Sequence, residues 1–158
     1  MQPTLTIGFL ADHPARIAEL VRWFEAEWPD WYGPGGRGDA ELDLRSFRSR
    51  AALPIGLIGL LDDELVGIAA LKRDSIPARA ELSPWAAAGL VRPDRRGRGF
   101  GAALVRAIEN LARDLGHPTI FCATATSVSL LERADWSFVE TLMHDGERLS
   151  IYRKSLEE

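Results

Sequence analysis

The sequence predicts an α/β fold, and three observations support that prediction. Short apolar segments typical of strands alternate along the chain with longer segments whose apolar residues recur at helical spacing. The length of 158 residues is close to that of one domain, and the composition, 46% hydrophobic and 27% charged, is ordinary for a globular protein. No repeat, low-complexity tract or internal linker interrupts the chain. We therefore expect residues 1–158 to form a single domain.

In the first half of the chain, the hydrophobic pattern and the positions of glycine and proline mark the boundaries between predicted secondary-structure elements. Alternation of apolar with small or polar side chains predicts a first strand. His13-Pro14 opens a helix, because proline suits a first turn, and a glycine- and proline-rich run then predicts a loop up to Asp39, a good helix cap. Two apolar runs around Asp62-Asp63 predict a hairpin. The predicted elements are a strand at 5–9, a helix at 14–28, a loop at 29–38, a short helix at 40–47 and strands at 54–61 and 65–71.

The second half begins with a small, apolar run that suits a central strand. From Gly99 a helix places leucine and isoleucine on one face, and Gly116 suits its C-terminal end. Asp145-Gly146 predicts the turn of a final hairpin. The predicted elements are a strand at 85–91, a helix at 99–115, a strand at 119–123, a short helix at 128–133 and paired strands at 137–143 and 148–154.

Charge and cysteine content exclude several classes of protein. The net charge of −4 argues against a general nucleic-acid binder. The single cysteine, Cys122, cannot form an intramolecular disulfide, which fits a cytoplasmic location. The chain starts without the basic flank and apolar run of a signal peptide, and no apolar stretch is long enough to span a membrane. The three histidines are too scattered for a metal site, so we expect no metal. From the net charge and the lack of a long apolar stretch, we expect no nucleic-acid or membrane partner.

The chemistry is concentrated in residues 89–101, where a strand leads through a glycine-rich loop into a helix. Glycine allows close approach of a ligand to the backbone, and a helix N-terminus presents free N–H groups with a partial positive charge. Four arginines and one aspartate lie between Arg92 and Arg98, in a chain that is acidic overall. This pattern predicts a site for a polyanion of modest size, such as a pyrophosphate.

Two alternatives compete with this interpretation. The segment could be a glycine-rich turn with a solvated cluster of arginines. It could also be a dinucleotide-binding loop, since Gly97, Gly99 and Ala102 match G-x-G-x-x-A, although no acidic residue ends the next strand. A P-loop is excluded, because no Gly-Lys-Ser/Thr follows the glycines.

Residues 96–101 (RGRGFG) resemble the GNAT acetyltransferase motif Q/R-x-x-G-x-G/A. The preceding residues 89–93 (GLVRP) are similar to the family's L-x-V-x-P strand end, with Gly89 in place of leucine. Residues 130–136 (LLERADW) resemble L-Y-E-x-x-G-F/W, and residues 83–87 (SPWAA) resemble a P-W-L-A signature of one bacterial branch. The resemblance implies a mixed, mostly antiparallel central sheet with helices on both faces, and transfer of an acetyl group from acetyl-coenzyme A to an amine.

The resemblance also implies which residues bind coenzyme A. Backbone N–H groups of the glycine-rich loop hold the pyrophosphate, and the pantetheine arm pairs with the end of the central strand, whose main chain also polarises the thioester carbonyl. The family separates this strand from the next one to admit the thioester. The implied cofactor-binding residues are Leu90, Val91, Arg92, Arg96, Gly97, Arg98, Gly99, Phe100 and Gly101, with Thr124 in the position of a frequent asparagine.

The catalytic acid and base are less well marked. Leu131 stands where the family has a tyrosine that protonates the leaving thiolate, and leucine cannot donate a proton. Candidate replacements are Thr126, Ser127, Ser129, Tyr32 and Tyr152, and water could also serve. Glu81, just before the central strand, is a candidate base, and Asp74 is a second candidate. An exposed loop carboxylate without a catalytic role is the more common interpretation of a residue such as Glu81. The missing tyrosine keeps open an alternative function, an acyl-coenzyme A-binding module with weak or no transferase activity.

Aromatic residues are candidates for the acceptor pocket. Trp31 and Tyr32 lie in the predicted loop at 29–38, and Trp85 starts the central strand. Several acidic residues near the loop would favour a cationic amine, but they could also form a solvated helix face. A covalent route through Cys122 is disfavoured, because no histidine is near it in sequence. The acceptor is expected to be a small amine, an amino acid or a protein N-terminus, and the protein a monomer or a homodimer.

Overall fold

The computed structural model describes residues 2–157. Within that range the chain forms a mixed α/β structure with a seven-stranded sheet, and short 3-10 turns join several of the elements. The strands are β1 (Leu5–Phe9), β2 (Ile55–Leu61), β3 (Glu64–Lys72), β4 (Trp85–Val91), β5 (Thr119–Thr124), β6 (Ser137–His144) and β7 (Glu147–Ser155). The helices are α1 (Ile17–Glu27), α2 (Pro29–Tyr32), α3 (Ala40–Ser46), α4 (Phe100–Asp114) and α5 (Val128–Arg133).

The strand order in the sheet is β1-β2-β3-β4-β5-β7-β6. Neighbouring strands are antiparallel except β4 and β5, which are parallel. The sheet therefore consists of two antiparallel parts, β1 to β4 and β5 to β6, that meet at one parallel junction. Helix α4 makes the crossover between the two strands of that junction, as parallel pairing requires.

Helices cover both faces of the sheet, which confirms the predicted fold class. On one face, Leu20 and Phe24 of α1 and Leu44 of α3 are fully buried against the first part of the sheet. On the other face, α4 packs with Leu104 and Ile108 on the apolar side of β2 and β3. Burial of these apolar side chains supplies most of the stability of the two layers. Within residues 2–157, no helix is both long and apolar enough to cross a membrane.

The predicted boundaries agree with the structure to within a few residues, with two corrections. Residues 29–32 form the short helix α2 instead of a loop, because Pro29 suits a first helical turn and Gly33 ends it. The short helix predicted at 40–47 ends at Ser46, and its Leu42 is 65% exposed. Asp39 caps α3 as predicted, and its Oδ1 accepts a hydrogen bond from the Leu42 N–H at 3.0 Å.

Candidate functional site

A slot opens where β4 and β5 separate. The two strands are in register only at Trp85 and Phe121, where the Phe121 N–H donates to the Pro84 carbonyl at 3.0 Å. Beyond that point, among the residues that the structure describes, no further β4–β5 pair is formed. The strands are parallel, so their carboxyl ends lie at the same edge of the sheet, and the slot opens toward that edge.

A bulge in β4 lies beside this slot. Between two pairs with β3, Ala87 with Ala70 and Leu90 with Ile68, strand β4 has one residue more than its partner. Ala88 has φ of +54°, which is uncommon for a residue with a side chain. A bulge leaves one residue unpaired and turns the strand locally, so the backbone of β4 departs from regular pairing next to the slot.

The glycine-rich loop follows the carboxyl end of β4 and leads into α4. Gly97 and Gly99 have φ of +78° and +85°, in the left-handed region that favours glycine. A Cβ built at either position would have no atom within 4 Å. Glycine is therefore favoured there by the backbone conformation and not by a lack of space for a side chain. Within residues 2–157, the N–H groups of residues 97–101 make no hydrogen bond, as is normal at the start of a helix. The loop thus presents several free donors and the positive end of α4.

The positive charge at this loop is smaller than the sequence suggests, because most of it is paired. Glu64 of β3 accepts from Arg92 and from Arg95, each at 2.6 Å. Arg96 donates to Glu27 of α1 at 3.0 Å and to the Val91 carbonyl at 2.9 Å. These contacts hold the loop to β3, β4 and α1. Two carboxylates from outside the segment, Glu64 and Glu27, thus offset part of the positive charge of its arginines.

Arg98 differs from the other three arginines of the segment. In the described part of the chain it forms no ion pair. Its side chain lies at an exposed position in the loop, so it is the arginine best placed to contact an anion there.

The family model for the acetyltransferase (GNAT) family matches residues 20–134 of the chain. The match includes the whole of the slot and the glycine-rich loop. This chain belongs to the GNAT acetyltransferase family. Family membership makes it an acyltransferase. No curated protein shows significant similarity to the sequence.

Solved structures of GNAT proteins share the fold over nearly the entire chain. The protein yncA of Salmonella typhimurium, solved with its cofactor acetyl-CoA, has a TM-score of 0.76 and 19% identity, with 98% of this chain and 95% of that one covered. An aminoglycoside 6′-N-acetyltransferase complexed with coenzyme A has a TM-score of 0.78 at 15% identity, with 97% and 98% covered. The aminoglycoside 6′-N-acetyltransferase of Enterococcus faecium has a TM-score of 0.77 at 15% identity, with the same coverage. At these identities the likeness concerns the fold.

In this GNAT protein, the far wall of the slot is formed by the end of β5. Thr124 is nearly buried, and its Oγ1 accepts hydrogen bonds from the N–H groups of Ser127 at 2.8 Å and Thr126 at 3.2 Å. These contacts shape the turn between β5 and α5. The Thr124 hydroxyl proton is left to be donated, so this residue combines a structural contact with one remaining donor.

The position of the family's tyrosine is apolar and buried here. Leu131 is 2% exposed and packs in the core beneath α4. The two tyrosines considered as replacement acids are both engaged. Tyr32 donates to Asp43 at 2.7 Å and Tyr152 donates to Glu132 at 2.9 Å, and burial raises the pKa of both hydroxyls.

Glu81, the candidate base, is exposed in the turn that leads into β4. Two residues before it in sequence, Arg79 forms a bidentate ion pair with Glu140 of β6, at 2.5 and 3.0 Å, which holds the pKa of that carboxyl below its usual range. Glu81 precedes the amino end of β4, whereas the glycine-rich loop follows the carboxyl end. The seven residues of β4 span about 20 Å. The structure therefore does not bring Glu81 to the loop.

The aromatic candidates for the acceptor pocket occupy three different environments. Trp31 is 41% exposed, and Tyr32 is half-buried against Phe24. Trp85 is fully buried, and its indole N–H donates to the Leu82 carbonyl at 2.8 Å. Trp85 is thus a core residue, which corrects its predicted place on the acceptor surface. Burial also raises the pKa of the Cys122 thiol to about 12, so Cys122 is not a ready nucleophile.

The sequence did not indicate two of the residues that hold the glycine-rich loop. Glu64 follows a hairpin turn and Glu27 ends a helix, and each is a common surface residue at such a place. Their contacts with Arg92, Arg95 and Arg96 join positions 28 to 69 residues apart, so no local pattern could reveal them. Within residues 2–157, no group of His, Cys, Asp and Glu side chains is arranged to hold a metal ion.

Proposed function

We propose that this protein transfers the acetyl group of acetyl-CoA to a primary amine by direct attack in a ternary complex. One observation supports this most strongly: the slot between β4 and β5 ends at a loop whose N–H groups have no acceptor within residues 2–157. A linear cofactor with a pyrophosphate suits that combination. The two solved structures described above with acetyl-CoA and coenzyme A have the same fold.

The proposed cofactor contacts follow the order of the chain. Leu90 and Val91 keep their pairing with β3 on one edge, while their other edge faces the slot and can pair with the amide groups of a pantetheine arm. The free N–H groups at the start of α4 would bind the pyrophosphate. Arg98 would add a charged contact, and Thr124 a hydroxyl donor from the opposite wall.

The chain's own groups would then assist the transfer. The neutral amine forms a bond from its nitrogen to the acetyl carbon, and negative charge develops on the carbonyl oxygen. Main-chain N–H groups near the bulge at Ala88 would stabilise that charge. The carbon–sulfur bond breaks as the carbonyl re-forms, the amine nitrogen loses its proton to a base, and the thiolate takes up a proton. Much of the acceleration would come from holding the two reactants together.

We propose Glu81 as the base, acting through water because it lies away from the glycine-rich loop. Changing Glu81→Gln removes the proton acceptor and should lower kcat about 100-fold and flatten the acidic limb of the rate profile. The measurement is kcat and kcat/KM of thiol release from pH 5 to 9, with Glu41→Gln, an exposed carboxylate of α3, as the control. An unchanged profile for Glu81→Gln would remove Glu81 from the mechanism.

The buried Leu131 supports a second candidate function, an acyl-CoA-binding module with little transferase activity. No tyrosine hydroxyl is available at that position to protonate the leaving thiolate. The thiol of coenzyme A is a fairly good leaving group, so water could replace the acid at some loss of rate. The two functions share the binding site and differ only in turnover.

The deciding experiment is isothermal titration of the protein with acetyl-CoA, coenzyme A and NADH, followed by thiol release across a panel of amines. Binding of acetyl-CoA but not NADH, with release on at least one amine, supports the transferase. Binding without release on any amine supports the module. Absence of acetyl-CoA binding contradicts both functions.

The remaining expectations are also proposals. We propose that residues 1–158 act as one domain, since a single sheet runs through the described residues. A cytoplasmic location is supported by a single cysteine, which cannot form an intramolecular disulfide. The acceptor is proposed to be a small amine, an amino acid or a protein N-terminus, without nucleic-acid or membrane partners, and the protein a monomer or homodimer.

A further inference from the structure

An arginine bridges an exposed tryptophan and a distant carboxylate. The guanidinium carbon of Arg37 lies 5.3 Å from the centre of the Trp31 ring, in the range of a cation–π contact. The same guanidinium is 3.6 Å from Asp145 Oδ2 in the turn between β6 and β7. An aromatic ring, a cation and a carboxylate, at positions 31, 37 and 145 of the sequence, thus form one chain of contacts.

This bridge reaches the edge of the sheet toward which the slot opens. Trp31 and Arg37 belong to the segment between α1 and α3, the helices that pack on the first part of the sheet. Asp145 precedes β7, and the start of β7 pairs with the carboxyl end of β5, as Ser150 does with Thr124. The β6–β7 turn therefore projects at the edge where β4 and β5 separate. The bridge thus links the segment between α1 and α3 to the β6–β7 turn of the second part of the sheet.

The Trp31 ring is held in place independently of Arg37. A Cβ at Gly38 would overlap the five-membered part of the indole, so the loop backbone lies directly against the ring. The Gly38 N–H donates to the Trp31 carbonyl at 2.8 Å, and Tyr32 packs edge-on at 6.5 Å. The aromatic surface is therefore positioned before any partner reaches it.

Arg37 itself is held weakly. Its side chain is 75% exposed and that of Asp145 is 53% exposed, so water and salt screen their attraction. Asp145 Oδ2 also lies 3.4 Å from His144 Nε2. A ring face combined with a carboxylate is an arrangement that recognises organic cations. In this structure the cation at that position is the guanidinium of Arg37.

We propose that Trp31 and Asp145 form a binding site for a positively charged group of the acceptor, and that Arg37 occupies this site until the acceptor displaces it. The proposal rests on the proposed function and names its substrate class: amines that carry a second positive charge besides the nitrogen that is acetylated. The second charge would lie between the ring and the carboxylate while the neutral amine enters the slot.

The test uses 1,4-diaminobutane as the probe and the indole N–H resonance of Trp31 as the readout. That resonance is identified as the one missing from the spectrum of Trp31→Phe. We expect the diamine to shift it in a saturable way, and 1,4-butanediol, which has the same length and no charge, to leave it unchanged. Because Arg37→Ala empties the site, it should lower the dissociation constant for the diamine about threefold. The double change Arg37→Ala with Asp145→Asn should abolish this gain in affinity for the diamine.

Arg45→Ala is the matched control, because Arg45 is also an exposed arginine that is paired with a carboxylate, Glu41, at 3.7 Å. An equal gain in Arg45→Ala would show a general effect of charge and overturn the proposal. So would an Arg37→Ala variant whose affinity for the diamine is unchanged, or absence of any shift in every variant. Titration of the same samples with acetyl-CoA keeps the two hypotheses separate, since failure there contradicts the proposed function without affecting the cation readout.

Discussion

The two sides of the slot are built in different ways. The proposed cofactor side consists of backbone: an interrupted strand pair, a bulge, and a loop whose glycines present N–H groups. The acceptor side that we propose consists of exposed side chains, Trp31, Arg37 and Asp145, which come from distant parts of the chain. Backbone recognition suits a ligand that every family member shares. Side chains on loops can change without disturbing the sheet, which suits a ligand that differs between members.

The largest expected effect on ligand binding is on the cofactor side. Gly99→Ala places a side chain at φ of +85°, which costs about 1–2 kcal/mol. The loop can relieve that strain only by turning its N–H groups away, so the dissociation constant for acetyl-CoA should rise about tenfold, as 1.4 kcal/mol corresponds to tenfold. Isothermal titration measures it.

Gly116→Ala is the control for this strain. Gly116 has φ of +88° at the other end of α4, so the change should lower the free energy of unfolding by a similar amount. Its affinity for acetyl-CoA should stay that of the unchanged protein. A tenfold loss in both variants would mean that reduced stability, and not the loop, explains the effect.

A smaller effect is expected from the arginine without an ion pair. Arg98→Ala should weaken acetyl-CoA binding about fivefold at low salt, and the difference should shrink in 0.5 M salt because the contact is exposed. Arg106→Ala, on an exposed position of α4, is the matched control and should have no such effect. Equal losses in the two variants would assign the effect to overall charge.

The smallest expected effect concerns Tyr32, on the acceptor side. Its hydroxyl donates to Asp43, so Tyr32→Phe should cost about 1 kcal/mol of unfolding free energy and leave kcat unchanged. Chemical denaturation and thiol-release assays measure the two quantities. A drop in kcat of more than tenfold without a change in KM would instead make Tyr32 the missing acid, and the acceptor side would then take part in the chemistry.

The same contrast explains how far sequence reasoning reached. The strands, α4 and the glycine-rich loop follow from periodicity and from glycines at the positions where φ is positive, and both are local properties. The carboxylate partners of the arginines do not follow from local properties, because Glu27 and Glu64 contact them only in the folded chain. Trp85 was misplaced for a similar reason: an aromatic residue at a strand start can face the core or a pocket, and only packing decides.

The separation of β4 from β5 has a consequence for solubility. It creates two unpaired strand edges inside a sheet that would otherwise be continuous, and such edges can pair with strands of other molecules. A ligand that fills the gap satisfies those edges. We therefore expect the protein to aggregate faster on heating when no ligand is bound. Bound cofactor would then also protect the folded protein against aggregation.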